Sequence, residues 1–374
     1  MRNKTRLLAF FAIASVVFAA CSSGATSAPP AASAPAVATA AASGPTAAPA
    51  AATAAAPASS QAGAADVSSF HFANVVKITG IAWFNRMATG LQDFSKATGV
   101  KVDQTGPAQA TAEGQVSIIQ SLIPQKPTVI GVVPNDQQAL EGVLGSAKAA
   151  GIVVVSQEGS QLQNTDLDVE AFSNTAYGTA MMDSLAKCMG GQGQYAAFVG
   201  HLTSQSHMEW VSAALQEAKS KYPGISRVSD PIESLEDANV AYQKTKELLA
   251  KYPNLKGIEG SAATDVVGAA RAITELGLAG KVCIVGTSLP SLAKQYVVNK
   301  TIYSIFGWDP ALAGEAAMYG ALQIAQGKAI TTGADLHVPG YNNIQPCGGS
   351  ASPHCFMGNA PLEIGPDNIN NYPF

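Results

Sequence analysis

The fold is decided by two runs within one stretch of the chain, Val129-Ile-Gly-Val-Val-Pro-Asn-Asp136 and Ile152-Val-Val-Val-Ser-Gln-Glu158. Each begins with residues that are apolar at successive positions, which predicts a strand that helices cover on both faces. Asp136 offers an N-cap for a helix over 138–150 that stops at Gly151. The stretch therefore predicts a parallel, doubly wound α/β sheet, whose ligands bind at the carboxyl ends of its strands.

The same alternation of strands and helices extends from Val75 to about residue 330. We expect the first strand over Val75–Trp83 and a second strand-helix series over 195–306. Two similar units in tandem predict two lobes around a cleft. The chain has 374 residues and a net charge of −4, with no basic run after its N-terminal segment. Nucleic acid is therefore not an expected partner.

The first 66 residues predict export and attachment rather than a folded domain. Basic residues, an apolar run over 7–20 and Cys21 form an export signal over 1–21 that is too short for a transmembrane span. Phe18-Ala-Ala-Cys21 resembles the bacterial lipobox, which implies a lipidated Cys21, an extracytoplasmic location and membrane contact through the lipid alone. Cleavage without lipidation, followed by release, is the alternative. Residues 22–66, uncharged as far as Ala65 and rich in Ala and Pro, predict a disordered tether.

The cysteines after Cys21 divide into two pairs. Cys347 and Cys355 flank a Gly/Ser/Pro-rich loop, which predicts a short disulfide in an exported protein. Cys283 lies in an apolar strand and Cys188 late in a helix, so we expect two buried free thiols. No pair has zinc-type spacing, and we expect neither a metal nor a cofactor.

Short motifs add a family resemblance that covers residues 72–374. The chain resembles type I periplasmic sugar-binding proteins, and within them the autoinducer-2 and rhamnose receptor branch. The motifs that carry the resemblance are Lys77, Gly106-Pro107 with Glu113-Gly-Gln115, Gly286-Thr-Ser-Leu-Pro290, Phe306-Gly-Trp-Asp-Pro310 and Asn368-Ile-Asn-Asn-Tyr-Pro-Phe374.

The resemblance implies a two-lobed α/β protein with a three-strand hinge. Its N-terminal lobe comprises residues 67–173 plus 308–337, and its C-terminal lobe comprises 174–307 plus 338–374. The chain then crosses between the lobes near Ser173, Gly307 and residue 338. The lobes are expected to close over a ligand.

In the first lobe, the predicted ligand-binding residues follow two strands. Trp83 or Phe84 is expected to form a wall of the cleft, with Asn85 at the start of the next helix, although both aromatic rings could instead belong to the core. Glu158, after Gln157, stands where the family places a ligand-binding Asp. Lys77 matches a ligand-contacting Lys of the receptors, and a lone Lys in an apolar strand needs a partner or a wet cavity.

In the second lobe, the chain departs from the receptors. Ser206-His207 stands where they have Asp-Gln, and Ser261-Ala262-Ala263 where they have Pro-Asp-Ala, which argues against autoinducer-2 as the ligand. A small sugar, deoxysugar or polyol is expected instead. The remaining predicted ligand-binding residues are Asp265, Ser288 and Trp308.

The residues do not predict an enzyme. Gly286-Thr-Ser-Leu-Pro290 does not match the Gly-x-Ser-x-Gly nucleophile elbow. The expected function is delivery of a sugar or polyol, by a monomer, to the permease and ATPase of an ABC importer. The alternative is a receptor that uses the same cleft to present its ligand to a sensor or chemoreceptor.

Overall fold

A computed structural model describes residues 67–374. The export signal, Cys21 and the tether lie outside these residues. Within the described range, none of the helices has the length and apolar character needed to cross a membrane.

Fourteen strands and nine α-helices form the described part of the chain. The strands are β1 (His71–Val75), β2 (Lys101–Thr105), β3 (Val129–Val132), β4 (Val153–Ser156), β5 (Leu167–Glu170), β6 (Gln192–Val199), β7 (Gly224–Arg227), β8 (Ile232–Glu233), β9 (Leu255–Gly260), β10 (Cys283–Thr287), β11 (Ser304–Gly307), β12 (Gln345–Pro346), β13 (Cys355–Met357) and β14 (Leu362–Ile364). The helices are α1 (Ala82–Thr98), α2 (Ala112–Leu122), α3 (Gln137–Ala149), α4 (Asn174–Met189), α5 (Gln205–Lys221), α6 (Ala238–Lys251), α7 (Asp265–Glu275), α8 (Pro290–Val298) and α9 (Pro310–Ala325).

The strands form two sheets, one for each lobe. The first has the order β12-β13-β5-β4-β3-β1-β2 and the second the order β14-β11-β10-β9-β6-β7, with β8 beside β6. Strand pairs are parallel except β12 with β13 and β11 with β14. The predicted fold of two mostly parallel α/β lobes is confirmed.

The chain passes between the sheets after β5, after β11 and between β13 and β14. The third passage therefore lies over 358–361, and its expected position near residue 338 is wrong. Residues 345–346 and 355–357 extend the first sheet, because β13 pairs with β5. The C-terminal part of the second lobe thus begins about twenty residues later than 338.

The first strand is shorter than expected. It ends at Val75, and Gly80 takes a left-handed φ of 84° in the connection that follows. Trp83 and Phe84 therefore lie in the first turn of α1 rather than on a strand. Lys77 lies in the connection, beyond the end of β1.

Close crossings of two helices occur in both lobes, and in the second lobe α6 and α7 form one, where a Cβ atom on Gly268 would lie 2.4 Å from the carbonyl oxygen of Ala238. A Cβ atom on Gly90 of α1 would lie 1.9 Å from the carbonyl oxygen of Ala311 in α9. A Cβ atom on Gly178 of α4 would lie 2.2 Å from the carbonyl oxygen of Trp210 in α5. These glycines let the helix backbones touch.

Two disulfides are present among the described residues. Cys347 is bonded to Cys355, the pairing that the loop predicted. Cys188 is bonded to Cys283, so the expectation of two free thiols is wrong. Packing of α4 against β10 brings these residues to a Cα–Cα distance of 5.9 Å across 95 residues of sequence. Asp168 lies beside Cys347 and Cys355, but the bonded sulfurs are not thiolates, so the group does not form a metal site.

Candidate ligand-binding site

A cavity lies between the carboxyl ends of the two sheets. It is small, about 20 Å³ of space for water centres, which is room for roughly one water molecule. The first lobe contributes Lys77, Ile81, Trp83, Phe84 and Glu158 to its lining, the passage after β11 contributes Trp308, and the second lobe contributes His207, Trp210, Glu236, Ser261, Ala262, Ala263 and Thr287.

The centre of the first-lobe wall is a buried ion pair. Lys77 Nζ donates to Glu158 Oε2 at 2.7 Å, and both side chains are about 5% exposed. Burial alone would lower the pKa of Lys77, but the carboxylates of Glu158 and Glu236 raise it above its ordinary value. The backbone holds the pair in place, because Asn135 Nδ2 donates to the Lys77 carbonyl and Gln137 Nε2 to the Glu158 carbonyl, both at 2.8 Å.

The second lobe bonds directly to this pair. Ser206, in the first turn of α5, donates from Oγ to Glu158 Oε2 at 2.7 Å. At the rim, Glu209 Oε1 accepts hydrogen bonds from Ser160 Oγ at 3.2 Å and Gln161 Nε2 at 3.1 Å. The structure is therefore a closed arrangement, in which a second-lobe hydroxyl already occupies a hydrogen-bonding position of Glu158.

His207 follows on the same helix and lines the cavity. Its Nδ1 accepts a hydrogen bond from the backbone N–H of Gly200 at 3.0 Å, which places any donor proton of a neutral ring on Nε2. Burial, followed by the charge of Lys77, holds the pKa of His207 well below 6.5. The imidazole is therefore neutral at neutral pH, and Lys77 is the cation of this lining.

Aromatic rings from both lobes meet at Trp308. Its ring centroid lies 4.7 Å from Trp83 in an edge-on contact, 5.2 Å from Phe172 and 5.9 Å from Trp210. Trp210 Nε1 donates to Asn174 Oδ1 at 2.7 Å, which fixes that ring at the start of the second lobe. The cluster gives the cavity rigid apolar walls, against which the C–H faces of a ligand can pack.

Three polar groups of the lining have no hydrogen-bond partner among the described residues. They are Trp308 Nε1, Ser261 Oγ and Glu236 Oε1, and each belongs to a residue that is less than 10% exposed. Burial raises the pKa of Glu236 above its ordinary value, and the positive charge of Lys77 offsets only part of this shift. A buried polar group without a partner costs about 1–3 kcal/mol. A ligand that accepts from the indole and donates to the carboxylate would remove part of this cost.

Five of the predicted ligand-binding residues do not line the cavity, and one of them, Ser206, instead bonds to Glu158. Asn85 is exposed on α1, and the N-cap of that helix is Ile81. Gln157 is buried but borders a separate small cavity inside the first lobe, beside Asn74 and Met318. Both residues lie just beyond the end of β4, and only Glu158 faces the cleft.

Asp265 and Ser288 contact the second-lobe wall through hydrogen bonds to the backbone of residues 261–263. Asp265 Oδ2 accepts from the backbone N–H groups of Ser261 and Ala262, at 3.1 and 2.8 Å. Burial raises the pKa of Asp265 to about 7. Ser288 Oγ donates to the carbonyl of Ala263 at 2.8 Å. Both residues therefore position the segment that touches the cavity.

Sequence reasoning missed several lining residues. Trp210 lies three positions after His207, and this helical spacing was a usable signal for a shared face. Glu236 lies between β8 and α6 without any periodic pattern, so its position could not be read from the chain. The remaining missed residues are Ile81, Ala262 and Thr287.

The family model for the periplasmic binding protein domain matches residues 72–329. The chain belongs to this family. Its members bind solutes, and the chain is not an enzyme. The D-allose-binding periplasmic protein of Escherichia coli K12 is 25% identical over 256 residues, which cover 66% of this chain and 82% of that protein. The D-xylose-binding periplasmic protein of Haemophilus influenzae is 25% identical over 249 residues, 63% of this chain and 73% of that protein.

Solved structures share the two-lobed architecture. LsrB from Clostridium saccharobutylicum in complex with AI-2 has a TM-score of 0.75 at 24% identity, covering 81% of this chain and all of that one. An ABC transporter solute binding protein from Clostridium phytofermentas with bound L-rhamnose has a TM-score of 0.76 at 24% identity, covering 81% and 98%. At this identity the two structures establish the shared fold.

Proposed function

We propose that the chain captures a small sugar, deoxysugar or polyol between its lobes and delivers it to an ABC importer. The observation that carries the proposal is the composition of the cavity lining. It combines a buried ion pair, walls of indole rings, and unpaired donors and acceptors, which suits a compact ligand with both C–H faces and hydroxyl groups. The sugar-binding relatives and the rhamnose-bound structure point to the same ligand class.

The cavity requires the lobes to move for a ligand to enter. A space for roughly one water molecule is too small for a monosaccharide, so the bond between Ser206 and Glu158 must open or shift. The hinge segments near Ser173 and Gly307 would absorb the change, as in hinge closure generally. The closed form would offer a permease a surface that the open form lacks.

The experiment is a thermal-shift screen of pentoses, hexoses, deoxyhexoses and polyols, followed by calorimetry. A ligand at 100 times its dissociation constant stabilises the folded state by about 2.7 kcal/mol, which raises the melting temperature measurably. A panel without any stabilising sugar or polyol would contradict the proposal. For attachment through Cys21, the matching test is release of the Cys21→Ala variant from membranes, whereas equal retention would exclude the lipid anchor.

A further inference from the structure

Glu236 is a carboxylate of the cavity that neither the motifs nor the family resemblance assigned to a ligand. It lies in the loop between β8 and α6, opposite the Lys77–Glu158 pair, and is 7% exposed. Its Oε1 has no hydrogen-bond partner among the described residues. A side chain that is buried and unpaired at the wall of a cleft is most simply explained by a partner that comes with the ligand.

The backbone holds this carboxylate in an unusual conformation. Glu236 has a φ of 58°, and Glu158 on the facing wall has a φ of 60°. L-residues other than glycine rarely adopt this left-handed conformation, which costs conformational free energy and concentrates at ligand clamps. The Glu236 loop is fixed by the N–H groups of Ser234 and Leu235, which donate to the carbonyls of Val199 and Gly200. Both cavity carboxylates are thus placed by the same backbone conformation, one from each lobe.

None of the basic side chains of the lining makes a direct contact with Glu236, so its carboxylate can bond to a ligand. Lys77 is already bonded to Glu158 at 2.7 Å. His207 faces the cavity as a neutral ring, and His201 lies toward Glu233 instead, at 3.8 Å. The lining therefore holds two carboxylates and one ammonium group, and the ammonium group makes its direct contact with Glu158.

We propose that Glu236 is a specificity-determining residue that accepts a hydrogen bond from a ligand hydroxyl on the second-lobe side. This inference rests on the proposed function and names the chemistry of its ligand. The ligand carries hydroxyl donors at two opposite edges, one toward Glu158 and one toward Glu236, with an apolar face against the indole rings between them. A deoxy analogue that lacks the second hydroxyl leaves the carboxylate unpaired and binds more weakly.

The test is calorimetry on the full chain with D-allose, D-xylose, L-rhamnose and their monodeoxy analogues. Glu236→Gln keeps the shape of the side chain but removes the charge, and it should weaken binding of the best sugar about 10- to 100-fold. The same substitution should have little effect on the analogue that lacks the contacted hydroxyl, because the two changes remove one interaction. The matched control is Glu233→Gln, since Glu233 lies on β8 outside the cavity lining and accepts from the Leu202 N–H.

The outcomes separate this inference from the function on which it rests. Wild-type binding of a sugar with unchanged affinity in Glu236→Gln would overturn the inference and leave the proposed function standing. Failure of the wild-type chain to bind any of the sugars would overturn both. A large loss of folding stability in Glu236→Gln without ligand would also overturn it, because Glu236 would then be a structural partner rather than an unpaired one.

Discussion

The two walls of the cavity differ in whether their polar side chains have hydrogen-bond partners. On the first-lobe wall, Lys77 and Glu158 bond to each other, and their backbone carbonyls are held by side chains of the same lobe. On the second-lobe wall, Glu236 and Ser261 each have a side-chain oxygen without a partner in the described part of the chain. A paired wall contributes to folding, whereas an unpaired wall costs stability until a ligand arrives. Under the proposed function, the paired groups of the first lobe would hold the ligand in position, and the unpaired groups of the second lobe would select it.

The unpaired polar groups of the second-lobe wall reduce the stability of that lobe. The Cys188–Cys283 disulfide stabilises the same lobe and can offset this loss. Removing it with Cys188→Ala/Cys283→Ala should have the largest effect, because it frees a loop of 95 residues. The chain-entropy relation gives a cost of about 4.7 kcal/mol for a loop of this length. The measurement is the free energy of unfolding in denaturant, under oxidising conditions.

The first-lobe disulfide is the matched control. Cys347→Ala/Cys355→Ala frees a loop of 8 residues, for which the same relation gives about 2.5 kcal/mol. If both double variants lose the same free energy of unfolding, loop length does not decide how much each disulfide stabilises the protein. The disulfide of the second lobe would then not be the more stabilising one.

The paired wall can be broken by removing one partner. Glu158→Leu leaves the Lys77 ammonium buried without its direct partner, and we expect a loss of about 3–5 kcal/mol in the free energy of unfolding. Lys77→Met/Glu158→Leu removes both charges and should recover most of that loss. If the double variant is as unstable as the single one, the contribution comes from packing rather than from the charge pair.

Buried acids of both lobes make the stability depend on pH, and Glu259 of the second lobe gives the clearest test. Glu259, in the middle of the second sheet, has no partner for either carboxylate oxygen in the described structure, and burial raises its pKa to about 8. The folded chain keeps this proton at pH values where the unfolded chain has lost it. The contribution of Glu259 to stability is therefore largest below its unfolded pKa near 4.5. It falls as the pH rises toward 8, by at most about 1.4 kcal/mol per pH unit.

Glu259→Gln should flatten this fall between pH 5 and 8 in denaturant titrations. Asp168 in the first lobe and Asp265 in the second, both with a pKa of about 7, add slopes of the same sign that the substitution leaves in place. Glu113→Gln, at an exposed position on α2, is the control and should leave the slope unchanged. A wild-type slope in Glu259→Gln would show that Glu259 is ionised in the folded protein.

Features that depend on neighbouring residues, such as a helix cap or a polar residue after a buried strand, were predicted correctly from the sequence. Asp136 caps α3 through a hydrogen bond from the Ala139 N–H, as its position between an apolar run and a helix required. Glu158 lies at the end of a buried strand, where the topology places ligands, and it does face the cavity. The alternation of elements was enough to predict two lobes.

Contacts between distant residues could not be predicted in the same way. The disulfide of Cys188 depends on a partner 95 residues away that α4 brings close only in the folded chain. The strands at 345–346 and 355–357 are two and three residues long, too short for a periodic pattern, so the third passage between lobes was misplaced. Glu236 has no local signal because its loop takes its conformation from β6.

The hydrogen bond from Ser206 to Glu158 bears on the proposed delivery to an importer, because it joins the two lobes without a ligand. Under the proposed function, a chain whose lobes close on its own hydroxyl would present a permease with the same outer face with and without a ligand. Such an importer would distinguish loaded from empty protein by the difference in closed population. A ligand increases that population only as far as it binds the closed form better than the open one. Ser206→Ala would remove this hydrogen bond and lower the closed fraction of ligand-free protein, so the proposed importer would meet fewer closed but empty molecules.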